Sequence, residues 1–143
     1  MQCILAATDG SEGAERAVDA AARLAARLDA DLWIVNVMDG ISEDLLTKIA
    51  RVEASAVGDV LAALSNRVLA KAKERAQSLG VSRIHLKAGS GDFAEGILAI
   101  AREARADAVF VGRRGRGRMA GLLLGSVSQK LASLAPCMLV IVP

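Results

Sequence analysis

The chain has 143 residues, 53% of them hydrophobic and only 2% aromatic, so it can bury a core and that core must be aliphatic. Charged residues make up 24% and the net charge is +2, which excludes a globally basic nucleic-acid binder. Two cysteines, Cys3 and Cys137, are too few for a disulfide framework. The apolar stretch after Met1 stops at Asp9, and no run approaches the roughly 20 residues of a membrane span, so a soluble cytoplasmic protein is expected.

CILAATDGS, residues 3–11, is a short apolar run closed by Asp-Gly-Ser and reads as a buried strand with a turn. Over 11–28, Ala14, Ala17, Val18, Ala21, Leu24, Ala25 and Leu28 recur at three- and four-residue steps, opposite Arg16, Asp19, Arg23 and Arg27. This predicts an amphipathic helix with Ser11 as its N-cap. DLWIVNVMDG, residues 31–40, is a second apolar run whose two faces both look buried, as in a parallel sheet covered by helices on each side.

Residues 42–79 return to a helical pattern, with Leu46, Ile49, Val57, Val60, Leu61, Leu64, Val68 and Ala72 as the apolar stripe. Gly58 or the Ser65-Asn66 pair is a point of bending or division, and Gly80 is the expected C-cap. SRIHLKAGSG, residues 82–91, is the most polar strand and belongs near a sheet edge; its lone His85 reads as structural. Residues 92–105 predict a helix with Phe93, Ile97, Leu98 and Ala101 on one face. DAVFVG is a fourth strand, 126–134 a helix stopped by Ala135-Pro136, and CMLVIVP a fifth strand.

Strict alternation of strand and helix implies right-handed crossovers and one doubly wound sheet. The expected fold is α/β and Rossmann-like: a single domain over 1–143, with a five-stranded parallel sheet in the order 3-2-1-4-5. Ligands of such sheets bind at the carboxyl ends of the strands, where the strand order reverses. Thr8-Asp9, Val37-Met38 and Gly112 fall at that edge.

The segment from Val111 to Gln129, VGRRGRGRMAGLLLGSVSQ, joins glycines to Arg113, Arg114, Arg116 and Arg118. Gly112 ends a strand, Gly115 follows, and Gly125 with Ser126 opens a helix nine residues further on. Glycine lets an anion approach backbone N–H groups closely. A helix start presents unpaired N–H donors and a partial positive charge, and Ser126 and Ser128 add hydroxyls. The same Gly-Ser also begins many helices that hold no ligand. Asp9 before Gly10-Ser11 has two readings as well, a turn former or a ligand group.

Gly112-x-x-Gly115-(nine residues)-Gly125-Ser126 resembles the ATP-binding signature of the universal stress protein family. The resemblance extends over ILAATDGSEGAERAV, VNVMDG, AGSGDFAEGIL and the ending GLLLGSVSQKLASLAPCMLVIVP. It implies that Ala7, Thr8 and Asp9 touch adenine and ribose, that Val37 walls the base, and that Val111 and Gly112 approach the ribose. It implies further that Gly115, Gly125, Ser126, Val127 and Ser128 surround the phosphates, with Arg114 in reach of the nucleotide. The implied ligand is ATP or another adenine nucleotide, with Mg or Mn bridging its phosphates and no protein ligand assigned to the metal. Arg113 departs from the small or polar residue usual after the first glycine; it either clamps a phosphate or projects toward a partner.

GSGDFA, residues 89–94, imitates a dinucleotide fingerprint but follows the third strand, so it reads as a turn with Asp92 as N-cap. No Gly-Lys-Ser/Thr of a Walker A motif occurs. The first-strand turn also lacks the Ser-Gly-Gly loop of adenylating pyrophosphatase-type enzymes. The leading expectation is therefore a nucleotide-holding regulatory protein that signals through a protein partner. It is expected to be a homodimer paired through the apolar C-terminal strand, as the resemblance implies and as an unpaired apolar edge favours. A slow or partner-stimulated ATPase is the alternative, since the loop offers no carboxylate or His as a base. A nucleic-acid module using RRGRGR ranks last, because no aromatic residue is interleaved for stacking.

Overall fold

Strands and helices alternate along the described residues, 1–38, 54–115 and 124–143 of a computed structural model. They are β1 (Cys3–Ala7), α1 (Glu12–Leu28), β2 (Asp31–Met38), α2 (Ala54–Ser78), β3 (Ile84–Ser90), α3 (Phe93–Glu103), β4 (Ala108–Gly112), α4 (Ser126–Leu134) and β5 (Met138–Val142). All neighbouring strands pair in parallel in the order β3-β2-β1-β4-β5, as expected from the alternation. The order reverses between β1 and β4, so the chain leaves these two neighbours in opposite directions across the sheet.

The central strands read as apolar runs because both their faces are covered. Ile4, Ala6, Leu32, Ile34 and Phe110 meet α1 and α2 on one face. Leu5, Val35, Val37, Val109 and Val111 meet α3 and α4 on the other. Ser11 caps α1 by accepting from the Ala14 amide at 3.3 Å, and Asp92 caps α3 by accepting from Glu95 at 3.0 Å. Alanines rather than large aliphatics fill the buried side of α1: Ala14, Ala17, Ala21, Ala22 and Ala25 beside Val18, whereas Leu28 is exposed.

Two sequence expectations need correction. Helix α2 runs unbroken through Gly58 and Ser65-Asn66. Its buried side is Ser65, Leu69, Ala72 and Ala76, while Val60 and Leu64 are exposed. Periodicity put the large aliphatics inside; instead Ser65 faces inward and donates to buried Asn36 in β2. Phe93 was expected on the buried face of α3, but it is 38% exposed at the helix start, and Ala94 and Ile100 are buried with Ile97, Leu98 and Ala101. Leu46, Ile49 and the Val57 side chain of the expected stripe lie outside the described residues, as do Arg116, Gly117, Arg118 and Gly121.

Away from the β1–β4 switch, polar groups serve the fold. His85 on the edge strand β3 stacks on Trp33, its register partner in β2, with ring centroids 5.0 Å apart. Its Nε2 lies 3.1 Å from Asp31 Oδ2. Asp107 accepts from the Gln2 and Cys3 amides at 2.7 and 2.9 Å and ties the start of β1 to β4. Cys3 and Cys137 are free thiols, half-buried. No helix of the described residues is long and apolar enough to cross a membrane.

Candidate functional site

At the carboxyl edge of the sheet, beside the β1–β4 switch, lies a cavity of about 360 Å³. Its walls include Ala7, Thr8, Asp9, Val37, Val111, Gly112, Arg114, Gly115, Gly125, Ser126, Val127 and Ser128. The tertiary structure thus brings together all twelve positions singled out in the sequence, from three strand ends and one helix start. Five more wall residues, Ala14, Val35, Phe93, Ile97 and Leu124, carried no motif signal. The four-residue spacing of Phe93 and Ile97 already puts them on one face of α3 in the sequence; the structure places both on the cavity wall.

The turn after β1 is held atom by atom. The Thr8 amide donates to the Val35 carbonyl at 2.9 Å, and the Thr8 carbonyl accepts from Asn36 Nδ2 at 2.8 Å. Thr8 Oγ1 accepts from the Gly10 amide at 3.1 Å. Asp9 Oδ1 accepts from the Ser11 amide at 2.9 Å, the Asx-type bond of a turn former. Asp9 Oδ2 faces Gly115 instead, where a Cβ would lie only 2.9 Å from it. Asp9 therefore fills its turn-forming reading with one oxygen and offers the other to the cavity.

The opposite wall is the β4–α4 connection. The Gly125 amide donates to the Arg113 carbonyl at 2.9 Å, and the Arg113 amide donates to Val142 at 2.7 Å. Buried Ser128 donates its hydroxyl to the Gly112 carbonyl at 2.9 Å, with the Arg113 carbonyl at 3.2 Å. These bonds clasp the connection at its base and bring the Gly115 and Gly125 ends together. They also correct one expectation: the Ser128 hydroxyl proton is taken by the backbone, so that side chain adds no donor to the cavity. Gly125 occupies the N-cap of α4 with no side-chain cap, leaving first-turn amides of Ser126, Val127 and Ser128 without one.

Gly112 and Gly125 are glycines for different reasons. A Cβ on Gly112 would strike the Gly13 backbone at 2.8 Å, so the packing of α1 on β4 requires it. Gly125 has φ −71° and ψ 164°, extended backbone open to any residue. A Cβ there would meet the Arg113 oxygen at 3.4 Å and Arg114 Cα at 3.6 Å, contacts the fold tolerates. Arg113 is exposed and is absent from the cavity wall, whereas Arg114 is on it. Among the described residues no group of three or more His, Cys, Asp and Glu side chains is placed to hold a metal ion.

The cavity therefore combines an apolar slot (Val35, Val37, Phe93, Ile97) with an amide-rich, uncapped helix start and Arg114. Such a pairing suits a flat ring joined to an anionic tail. Residues 1–143 match the model of the universal stress protein family. The chain is 33% identical to the universal stress protein YxiE of Bacillus subtilis over 144 residues, 97% of either chain. It superposes on the crystal structure of a universal stress protein in complex with cAMP with a TM-score of 0.73 and 28% identity, covering 99% of this chain and 95% of that one. The universal stress protein from Archaeoglobus fulgidus in complex with dAMP gives a TM-score of 0.70 at 18% identity, covering 100% and 98%, a likeness of fold alone.

Proposed function

The chain belongs to the universal stress protein family, and on that premise we propose that it binds an adenine nucleotide, with ATP as the leading candidate, in the cavity at the β1–β4 switch. The observation that carries this reading is Gly125. Among the described residues a Cβ there would make only ordinary contacts, yet the residue is glycine and stands at the uncapped start of α4. A bare backbone at that point is what a phosphate needs in order to reach the amides. The base would lie in the slot of Val35, Val37, Phe93 and Ile97, and Asp9 Oδ2 would accept from a ribose hydroxyl or the adenine amino group. Gly115, Gly125 and the amides of Ser126, Val127 and Ser128 would hold the phosphates, with Arg114 supplying charge. The nucleotide in the related cAMP complex supports an adenine ligand. A Mg or Mn ion would ride on the phosphates, as Mg²⁺ commonly does.

The role we propose is to hold the nucleotide and present a ligand-dependent surface to a protein partner rather than to turn ATP over. Asp9 is the single carboxylate on the described wall, which contains no His, and one of its oxygens is committed to the turn. β5 is an edge strand with Met138 exposed, and we take it as the pairing surface of a homodimer. Isothermal titration with ATP tests the central claim: micromolar or tighter binding in the wild type, and a loss of about 100-fold in Gly125→Val, whose side chain would stand before the amides. Equal binding by the two proteins would reject it.

A further inference from the structure

Two buried polar side chains stand behind the cavity, beyond the wall described so far. Asn36, in the middle of apolar β2, is 2% exposed, and Ser65, inside α2, is 3% exposed. Ser65 Oγ donates to Asn36 Oδ1 at 2.8 Å, and Asn36 Nδ2 donates to the Thr8 carbonyl at 2.8 Å. A chain of hydrogen bonds thus runs from α2 through β2 to the residue preceding Asp9.

Its end point is informative. The β1–β2 ladder closes with the Thr8 amide on Val35, so the Thr8 carbonyl lies where β1 gives out. Asn36 supplies that carbonyl with a donor at the point where the chain leaves the sheet. The peptide between Thr8 and Asp9 is planar, so fixing its oxygen fixes the direction in which Asp9 departs. A serine inside a helix ordinarily points to solvent or back-bonds its own turn. Ser65 instead reaches across to β2, from the buried side of α2, while Val60 and Leu64 are exposed. Apolar residues at both positions would leave the buried Thr8 carbonyl without its Asn36 donor, at some cost in stability, and the orientation of the Thr8 peptide would be lost with it.

We propose that Asn36 and Ser65 are positioning residues of the nucleotide site, acting through Thr8 to hold Asp9 Oδ2 toward Gly115 and the ligand. The proposal rests on the nucleotide reading above. The test is a double-mutant cycle. ATP affinity is measured by titration for the wild type, Ser65→Ala, Asn36→Leu and Asp9→Ala, and for each relay variant combined with Asp9→Ala, below the melting temperature of every protein. Ser65→Ala should weaken binding about threefold or more and Asn36→Leu about tenfold or more. In the Asp9→Ala background each should change it by less than about twofold, because the group they aim is gone. Equal fold-losses in both backgrounds would mean that the relay serves packing alone and would overturn the proposal. So would wild-type affinity in both relay variants, or an Asp9→Ala protein that binds ATP as the wild type does. Ser65→Ala carries the test alone if Asn36→Leu does not fold. A wild-type protein that takes up no ATP rejects the nucleotide reading itself, a result distinct from intact binding that the relay variants leave untouched.

Discussion

Gly112 and Gly13 meet backbone to backbone. A Cβ on Gly112 would lie 2.8 Å from the Gly13 carbonyl carbon and 2.9 Å from its oxygen, and a Cβ on Gly13 would lie 2.9 Å from the Arg114 carbonyl oxygen. Through this contact the start of α1 sits directly on the end of β4, and the two halves of the cavity rim are set against each other.

Gly112→Ala and Gly13→Ala should each destabilise the protein by about 1–3 kcal/mol, since backbone rather than a flexible side chain must yield. Gly125→Ala, with only ordinary contacts among the described residues, should stay within about 0.5 kcal/mol of the wild type. Denaturant melts of the three variants check the contrast. A Gly125→Ala protein as unstable as Gly112→Ala would mean that glycine at 125 is a demand of the fold.

Gly96 is the packing partner of Val37. A Cβ there would lie 2.8 and 3.0 Å from the two Val37 methyls, and Val37 also rests against Gly89. Helix propensity favours Gly96→Ala by up to about 1 kcal/mol, but the displaced valine walls the cavity. The variant should bind ATP at least about fivefold more weakly, and Gly96→Ala with Val37→Ala should recover part of the loss. Titration of the single and double variants decides; simple addition of the two losses would count against the steric account.

Acid should destabilise the fold with a defined sign. Amides of Cys3 and then Gln2 hold the Asp107 carboxyl below its ordinary range, Arg83 and then His85 do so for Asp31, and the Glu95 amide and then Lys130 for Asp92. These groups titrate lower in the folded chain than in the unfolded one. Their contribution is therefore present above the unfolded value of about 3.9 and is lost as pH falls through the folded value. Melting temperature should fall as pH drops from about 5 to about 3, and Asp107→Asn should flatten part of that fall. A melting profile identical in slope for the variant would remove Asp107 from the account.

The two thiols should be sluggish. Burial raises the Cys3 thiol, with Asp107, Asp31 and Cys137 adding to it, and burial followed by Asp107 raises Cys137. Since the thiolate is the reactive form, both should react with an aromatic disulfide at neutral pH at least ~10-fold more slowly in the native protein than in denaturant. Fast native reaction at either site would contradict the burial.

The alternating apolar runs were enough to settle the order of strands and helices, because a parallel strand buried on both faces and an amphipathic helix carry different periods. The strand ends and the spaced glycines pointed to a ligand edge at the switch point, and it was the resemblance to the universal stress protein family that named the twelve wall residues. Three things were left to tertiary packing. The rotation of α2 is not legible in its stripe: Val60 and Leu64 face outward, while Ser65 turns inward and donates to Asn36. Phe93 and Ile97 joined the cavity only because α3 crosses the end of β2 with Gly96 against Val37. The different reasons for Gly112 and Gly125 are invisible in a one-letter string, since both read as glycine. Local patterns record what a segment prefers by itself; which atoms crowd a given Cβ position, and which polar group meets which across the sheet, is decided only when distant segments pack.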